Sequence, residues 1–298
     1  MIIQDINKKY NQKYVLKNIT FTLDQGHIIG IIGKNGAGKT TLLKILNGNI
    51  PCYNGKIRGL KNKKIASLIE KPKLYENKTG MFNLKYFLKL HQQSVNWKLI
   101  EDLISEFHME KYINRVVHKY SMGMKQLLSL VIAISQNPDF LILDEPTNGM
   151  DAKNTQKILE KLTSLTRTYN TSIIITSHKL EEIEQICEKV LIIEDGKINK
   201  NIDLNKKEYQ KRIGIYLLTE DFNKGLEIIK NNYHLIYTNK DDAYIECKKI
   251  QDKYNLLKDL GEESIYPREI TEYYYSLEKE YLKAVSYTHL TLPTSDLV

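Results

Sequence analysis

Gly33-Lys34-Asn35-Gly36-Ala37-Gly38-Lys39-Thr40 follows an apolar, β-branched run at residues 28–32 and precedes a segment with helical spacing at residues 41–46. A strand, a glycine-rich turn and a helix in this order are the context that a phosphate-binding loop requires. The backbone N–H groups of residues 36–39 can point into one concavity, because glycine tolerates the φ and ψ angles involved and the helix adds its positive dipole end. The stretch therefore predicts a nucleotide site.

In such a loop the ammonium of Lys39 is expected to reach the β- and γ-phosphates, and the hydroxyl of Thr40 to ligate Mg²⁺. The alternative is a chance match, since four fixed positions coincide in on the order of one chain in a hundred. The rest of the chain must therefore strengthen the assignment.

The composition is that of a folded protein with two domains, or with one large domain and an appendage: 298 residues, 42% hydrophobic and 27% charged. No apolar run approaches the roughly 18 residues of a membrane helix, and the N-terminus lacks the basic start and apolar core of a secretory signal. We therefore expect a chain that stays inside the cell. The three cysteines form no C-x-x-C pair, which argues against a disulfide framework or a zinc site.

The formal net charge of +8 has two interpretations, a nucleic-acid or anionic membrane partner and a solvated lysine-rich surface. Because lysine is scattered along the chain, we favour the second and expect no nucleic-acid partner. Residues 285–298 resemble the in-frame translation of a transposon-end sequencing adapter, so we expect them to be a fusion scar and the native protein to run to about Ala284.

Besides the loop, the chain contains a candidate for adenine stacking, a helical insertion and two strand ends that carry polar side chains toward the predicted site. Residues 2–6 and 19–23 alternate as strands, and Tyr10 on the turn between them is our candidate for stacking on adenine, a surface tyrosine being the alternative. Residues 80–118 read as a helical insertion with Asn96 as a cap. The buried strand at residues 140–143 ends in Asp144-Glu145, and the strand at residues 172–176 ends in Ser177-His178, so both deliver polar groups to the carboxyl edge of a parallel sheet.

These motifs together resemble the ATP-binding subunit of an ABC (ATP-binding cassette) transporter over residues 1–203. The resemblance rests on the glycine-rich loop, the Ser-x-Gly-x-x-Gln signature at Ser121, Gly123 and Gln126, the Asp144-Glu145 pair, the run at residues 148–151 and His178, all in the family's order. Residues 69–75 and 120–126 are similar to the bacitracin-resistance and lantibiotic-immunity branch.

The resemblance implies an α/β fold, a P-loop NTPase cassette with a RecA-like core, an antiparallel β subdomain and a helical subdomain at about residues 80–118. It implies ATP and Mg²⁺ as cofactors, with Mg²⁺ held by Thr40, Asp144 and Glu70. Glu145 would activate the attacking water, with His178 and Lys39 as the other catalytic groups. The residues expected to contact nucleotide are Tyr10, Gly33, Asn35, Gly36, Ala37, Gly38, Lys39, Thr40, Thr41, Glu70, Ser121, Gly123, Gln126, Asp144 and Asp151.

The family pattern places the signature against ATP held on a second subunit, so the resemblance implies a homo- or heterodimer and a separately encoded membrane permease. The chain departs from the wider family in three places. Glu70 stands where most members have glutamine, Met122 and Met124 flank a single Gly123 where adjacent glycines are common, and Leu127 replaces a usual basic residue.

The sequence pattern changes at about residue 204. Residues 204–284 predict a small, ferredoxin-like α+β domain of βαββαβ order, after a linker at residues 205–208. We expect its last strand at residues 263–266, Gly261 as the stop of the preceding helix, and a final helix at residues 270–282. A dimer-stabilising appendage is favoured over a ligand sensor.

The leading functional hypothesis is an ATPase subunit at the cytoplasmic face of the cell membrane that powers export of a peptide antibiotic or related compound. The alternatives are a soluble ABC ATPase acting on ribosomes or nucleic acid and a nucleotide-gated regulator. The absence of sustained heptads and of a second cassette argues against the ribosome-acting class.

Overall fold

The computed structural model describes residues 1–70, 73–90, 96–204, 211–216, 221–238, 242–247, 250–273, 277, 278 and 281. It divides into two compact units, Met1–Leu204 and Asn205–Lys283. The predicted linker at residues 205–208 and the adapter-like residues 285–298 lie outside the described residues. No helix in the described part of the chain is both long and apolar enough to span a bilayer.

The strands of the first unit are β1 Ile2–Tyr10, β2 Lys13–Thr22, β3 Ile28–Ile32, β4 Asn54–Arg58, β5 Ile65–Leu68, β6 Phe140–Asp144, β7 Ser172–Thr176, β8 Lys189–Glu194 and β9 Lys197–Asp203. Its helices are α1 Lys39–Leu46, α2 Gly80–Leu90, α3 Trp97–Glu106, α4 Met122–Ser135, α5 Ala152–Tyr169 and α6 Leu180–Ile186. Two short 3-10 turns, Met109–Lys111 and Val117–Lys119, lie between α3 and α4. The sequence analysis predicted no elements for α6, β8 and β9.

A six-stranded sheet of order β5-β6-β7-β3-β8-β9 forms the centre of this unit, and all its pairs are parallel except the β8–β9 hairpin. Strands β3 and β7 are buried at every residue, which explains their unbroken apolar sequence. Because the strands are parallel, the ends of β3, β6 and β7 meet at one edge. The predicted site residues lie at that edge.

A second sheet of order β2-β1-β4 is antiparallel throughout. Helix α1 is packed in a core shared by the two sheets, in which Leu42 and Leu43 of the helix join Ile6 and Leu16 of the small sheet and Ile174 of the large one. Helix α1 is therefore held on both sides, which fixes the loop that precedes it.

Residues 80–118 are helical only in part. Helices α2 and α3 form there, and Asn96 caps α3 as predicted, accepting a hydrogen bond from the N–H of Leu99 at 3.1 Å. The two 3-10 turns then lead to α4.

The second unit contains β10 Lys211–Tyr216, α7 Phe222–Asn232, β11 His234–Thr238, β12 Asp242–Cys247, α8 Ile250–Glu262 and β13 Glu269–Tyr273. Its antiparallel sheet has the order β11-β12-β10-β13. This βαββαβ arrangement is that of a ferredoxin-like module. Among the residues whose burial is described, its core contains Ile229, Leu256, Leu260 and Ile265.

The end of this unit differs from the sequence-based prediction. The last strand is β13 rather than residues 263–266. Because β13 is Glu269–Tyr273, the predicted helix cannot begin at residue 270. Helix α8 passes through Gly261 and closes with Ser264 in the left-handed region at φ 59°, where the N–H groups of Ser264 and Ile265 bond the carbonyls of Gly261 and Leu260. Ile265 resembles a strand residue in sequence but is a core residue packed beside α8.

Candidate nucleotide-binding site

The glycine-rich loop connects β3 to α1 and contains two residues in the left-handed region, Gly36 at φ 82° and Gly38 at φ 106°. A Cβ on Gly38 would lie 2.8 Å from the carbonyl oxygen of Val15, whereas a Cβ on Gly36 would have nothing within 4 Å. Asn35 is exposed at the tip and Ala37 is buried. The predicted loop conformation therefore requires glycine at these positions.

Lys39 is 8% exposed and crosses beneath the loop, where its Nζ donates to the carbonyls of Gly33 at 2.7 Å and Lys34 at 3.0 Å. Burial lowers the pKa of this ammonium, and the charges of Asp144 and Glu145 oppose the shift. A buried cation that uses two of its three N–H donors gains from an anion placed at the third. The side chain is thus arranged to attract phosphate.

Helix α1 begins at Lys39 with no side-chain cap and no acidic residue in its first turn. Its first backbone N–H groups are therefore left for another acceptor, and the positive end of the helix dipole faces the same place. Together with the loop N–H groups, these form a site suited to a phosphate chain.

Thr40 and Thr176 hold the carboxylate of Asp144 between them. The Thr40 hydroxyl donates to Asp144 Oδ2 at 3.0 Å, and the Thr176 hydroxyl donates to Oδ1 at 2.5 Å. A hydroxyl and a carboxylate at this distance fit Mg²⁺, which takes oxygen ligands and is usually held by few protein groups together with nucleotide phosphates and water. No group of three or more His, Cys, Asp or Glu suited to a metal occurs among the described residues.

Glu145 follows Asp144 in the left-handed region at φ 50°. Its N–H donates to the carbonyl and hydroxyl oxygens of Thr176, both at 3.1 Å. His178 Nε2 lies 2.6 Å from Glu145 Oε1, and Asn148 donates to Oε2 at 3.3 Å. The carboxylate is only partly exposed and is oriented at both oxygens, which is the arrangement of a fixed general base.

Ser121 and Asp151 are both helix caps in the structure. Ser121 Oγ accepts from the N–H of Met124 at 3.2 Å at the start of α4, and Asp151 Oδ1 accepts from the N–H of Asn154 at 2.8 Å at the start of α5. This backbone hydrogen bond from Asn154 lowers the pKa of Asp151. The two helix starts are adjacent, since a Cβ on Gly123 would lie 2.8 Å from the carbonyl oxygen of Gly149.

Two predicted contacts have other partners in the structure. Gln126 is 5% exposed and its Nε2 donates to the carbonyl of Glu145 at 3.2 Å, so its amide is bonded inside its own chain and is not directed at a second nucleotide. Glu70 is paired with Lys44 at 2.5 Å, so its carboxylate is directed at an ammonium rather than at the Thr40–Asp144 oxygens.

Sequence reasoning missed Thr176 and Lys44. The signal for Thr176 was present, because it ends a buried parallel strand immediately before Ser177-His178. Lys44 follows Thr40 by one helical turn, yet lysines are so common in this chain that spacing singled out none of them.

A cleft of about 820 Å³ opens beside the loop. Thr40 and Thr41 of α1, Tyr10 of β1 and Glu70 line it. The Tyr10 ring is 45% exposed, and the Lys8 ammonium lies 4.8 Å from its centroid. The cleft also has an apolar side formed by Leu74, Phe87, Ile132 and Ala133.

The sequence was compared with known families and proteins. The family model described as ABC transporter matches residues 16–148. The bacitracin transport ATP-binding protein BcrA of Bacillus licheniformis is 32% identical over 244 residues, covering 78% of this chain and 78% of the relative. The lantibiotic transport ATP-binding protein SrtF of Streptococcus pyogenes is 34% identical over 233 residues, covering 75% of this chain and 96% of the relative.

Among solved structures, a dimeric bacterial ABC transporter cassette matches with a TM-score of 0.62 at 20% identity, over 68% of this chain and 98% of that one. This likeness concerns the fold. It confirms the predicted α/β class, a P-loop cassette with a RecA-like core, an antiparallel β subdomain and a helical subdomain, and the structure adds the small C-terminal α+β domain. With the match to BcrA, these findings show that the chain belongs to the family of ABC transporter ATP-binding proteins and carries its ATPase cassette.

Proposed function

We propose that this chain dimerises around ATP and Mg²⁺ and, by hydrolysing ATP, drives a separately encoded permease that exports a peptide antibiotic or a related compound. The observation that carries the proposal is the pair Glu145–His178 at 2.6 Å, fixed beside the phosphate-binding loop. A carboxylate whose two oxygens are both oriented can take a proton from a water that attacks a phosphate bound at this loop. The bacitracin and lantibiotic names of two relatives support the class of cargo.

ATP would be bound by the loop N–H groups of residues 33–40 and by Lys39, with Thr41 close to the α- and β-phosphates. Thr40 and Asp144 would hold Mg²⁺, which on binding neutralises charge on the phosphate oxygens. The adenine would stack on the exposed part of the Tyr10 ring, which is 45% exposed and also carries the Lys8 ammonium 4.8 Å from its centroid. Glu70 would reach the metal only by leaving Lys44.

Hydrolysis would begin when Glu145 takes a proton from the water that attacks the γ-phosphate in line. His178 orients the carboxylate through Oε1, and Asn148 orients it through Oε2. Fixing both oxygens reduces the number of unproductive carboxylate positions, which lowers the entropic cost of reaching the transition state.

The second chain would complete each site. Ser121 and Gly123 lie at the start of α4, where N–H groups and the helix dipole favour an anion, and we assign them to the γ-phosphate of ATP bound by the other subunit. Asp151 would lie at the same junction. A dimer of this kind closes on ATP and opens after hydrolysis, and a permease would follow that motion.

The permease would dock on an aromatic surface next to the cleft, outside the part that Tyr10 and Thr41 line. Tyr75, which precedes α2, forms an aromatic cluster with Phe82, Tyr86 and Phe87 of α2, and Tyr75 and Phe82 are more than two-fifths exposed. Contiguous exposed aromatic rings are typical of protein interfaces. Docking at this surface would hold the chain at the cytoplasmic face of the membrane.

The test of the ATPase dimer uses two variants and a matched control. Glu145→Gln should bind ATP but not hydrolyse it, and should accumulate as a dimer on a sizing column in ATP and Mg²⁺. Lys39→Ala should lose ATP binding and remain monomeric. Lys61→Ala, which removes an exposed lysine in the turn before β5 and outside the loop, should behave as the unmodified protein. A Glu145→Gln protein that hydrolyses ATP at the normal rate excludes Glu145 as the base.

The transport part is tested separately by co-expressing the chain with the membrane protein encoded beside it, followed by detergent extraction and affinity capture. Co-purification and raised resistance of cells to bacitracin or a lantibiotic are the expected results. Salt-sensitive RNA binding without a membrane partner would instead support the ribosome-acting class.

A further inference from the structure

Gln126 connects two parts of the chain that serve different nucleotides in the proposed dimer. It lies on α4, one turn after Gly123, and is 5% exposed. Its Nε2 donates to the carbonyl oxygen of Glu145 at 3.2 Å. The bond therefore joins the helix that carries the signature to the residue that carries the base.

We infer that Gln126 is a positioning residue that couples the two ATP sites of the dimer. The inference rests on the proposed function. In that dimer the start of α4 touches the nucleotide of the other subunit, whereas Glu145 acts on the nucleotide of its own subunit. A rigid link between them inside one chain makes the geometry of one base depend on occupancy of the other site.

Glu145 is well suited to respond to such a link. Its left-handed backbone, at φ 50°, is unfavourable for a residue with a side chain and persists only because neighbouring groups hold it. Its N–H is held by Thr176 and its carbonyl by Gln126 together with the N–H of Asn148 at 3.2 Å. Removing the Gln126 donor leaves the carbonyl held by the Asn148 N–H alone, which weakens the restraint on this peptide plane.

A second contact runs beside the first. Gly123 packs so closely against the carbonyl of Gly149 that a Cβ there would lie 2.8 Å from its oxygen. The run containing Gly149 also contains Asn148, which donates to Glu145 Oε2 at 3.3 Å. Movement of the first turn of α4 is thus transmitted to both the carbonyl and the carboxylate of Glu145, and Gln126 provides the buried connection.

The test replaces Gln126 by methionine, which keeps the length of the side chain and removes the donor. The control is Gln156→Met, at an exposed position of α5, where the amide bonds the surface side chains of Glu160, at Oε1 and 2.9 Å, and Gln185, at 3.0 Å. Three quantities are measured on the full chain: affinity for ATP, kcat, and the Hill coefficient of hydrolysis against ATP concentration.

Gln126→Met should bind ATP with unchanged affinity, hydrolyse it about tenfold more slowly and lose cooperativity, with a Hill coefficient falling to 1. Gln156→Met should change none of these. If Gln126→Met does not fold, Gln126→Asn, which keeps the amide but is too short to reach the carbonyl, is measured in its place.

The outcomes separate this inference from the proposed function. If Glu145→Gln forms no dimer in ATP, the dimer and the coupling both fail. If it does form one, but the unmodified protein shows no cooperativity, or Gln126→Met retains the normal kcat and Hill coefficient, only the coupling fails. A loss of thermal stability without a change in cooperativity also overturns it, since that is the result expected of a purely structural hydrogen bond.

Discussion

The two left-handed glycines of the phosphate-binding loop differ in what surrounds them. Gly36 has open space where a Cβ would stand, whereas Gly38 is enclosed by the Val15 carbonyl and the Leu16 side chain, both 2.8 Å from that position. An alanine at Gly36 would meet only backbone strain. At Gly38 it would also displace β2, on which the loop rests.

Gly38→Ala should therefore destabilise the protein by roughly 3 kcal/mol, and Gly36→Ala by about 1 kcal/mol. Chemical denaturation without nucleotide measures both and isolates the loop from ligand effects. Equal losses of unfolding free energy in the two variants would show that the close approach of Val15 and Leu16 to Gly38 does not contribute to the cost of the substitution.

His178 bonds one oxygen of Glu145 at 2.6 Å, and its side chain is 52% exposed. His178→Ala should leave ATP affinity close to normal, since loop and lysine contacts remain, and should lower kcat by about 10²-fold because the carboxylate loses its orienting partner. Steady-state kinetics with separate nucleotide titration gives the two quantities. A variant that loses ATP affinity but keeps kcat would place His178 in binding instead.

The turn before α4 is held by a pair of tyrosines. The Tyr120 hydroxyl donates to the carbonyl of Tyr112 at 2.8 Å, and the two rings meet edge to face at 5.1 Å. Burial raises the pKa of each phenol from 10.0 to about 12. Ionisation of either phenol therefore destabilises the turn that presents Ser121.

This pair predicts the response to alkaline pH. The unfolded chain loses these two protons near pH 10.0 and the folded chain near pH 12, so the contribution of the two phenols to folding stability is fully present below pH 10.0 and is lost as pH rises between the two values. Denaturant unfolding at several alkaline pH values should show this slope, and Tyr120→Phe should make it shallower. An identical slope in the variant would assign the alkaline loss to other groups.

The two units of the molecule differ in length, since the cassette covers residues 1–204 and the C-terminal unit residues 205–283. The cassette core joins both of its sheets to α1, and Leu260 is among the buried core residues described in the C-terminal unit. Surface-to-volume scaling makes a shorter unit less stable, because it buries a smaller fraction of its surface. The smaller unit should therefore unfold at a lower denaturant concentration than the cassette.

Leu260→Ala should remove about 2–5 kcal/mol from the C-terminal unit while leaving ATP binding by the cassette unchanged. Lys258→Ala, which breaks an exposed ion pair with Glu262 on the same helix, should change stability by less than about 0.5 kcal/mol. Far-ultraviolet circular dichroism in denaturant should show the early transition move only in the first variant. If Leu260→Ala also lowered the denaturant concentration at which ATP binding is lost, the two units would unfold together.

Much of the site could be predicted from the sequence alone. The loop at residues 33–40 is marked by glycine spacing, and Asp144, Glu145 and His178 follow apolar runs that end at one sheet edge. The reason is that each signal is local and that parallel strands bring their carboxyl ends together in every such sheet. The helix cap at Asn96 belongs to the same class of local signal.

The sequence alone did not reveal the hydrogen-bond partner of Gln126, the ion-pair partner of Glu70 or the position of the last strand. All three depend on where segments distant in the chain meet. Gln126 fits a signature motif in sequence, but the packing of α4 turns its amide to Glu145, and Glu70 meets an ammonium on α1. Ile265 lies in a segment whose alternation is typical of a strand, yet it is buried in the core beside α8. The strand forms at Glu269–Tyr273 instead. A hydrogen bond or a buried contact needs two surfaces, and periodicity along one segment describes only one of them.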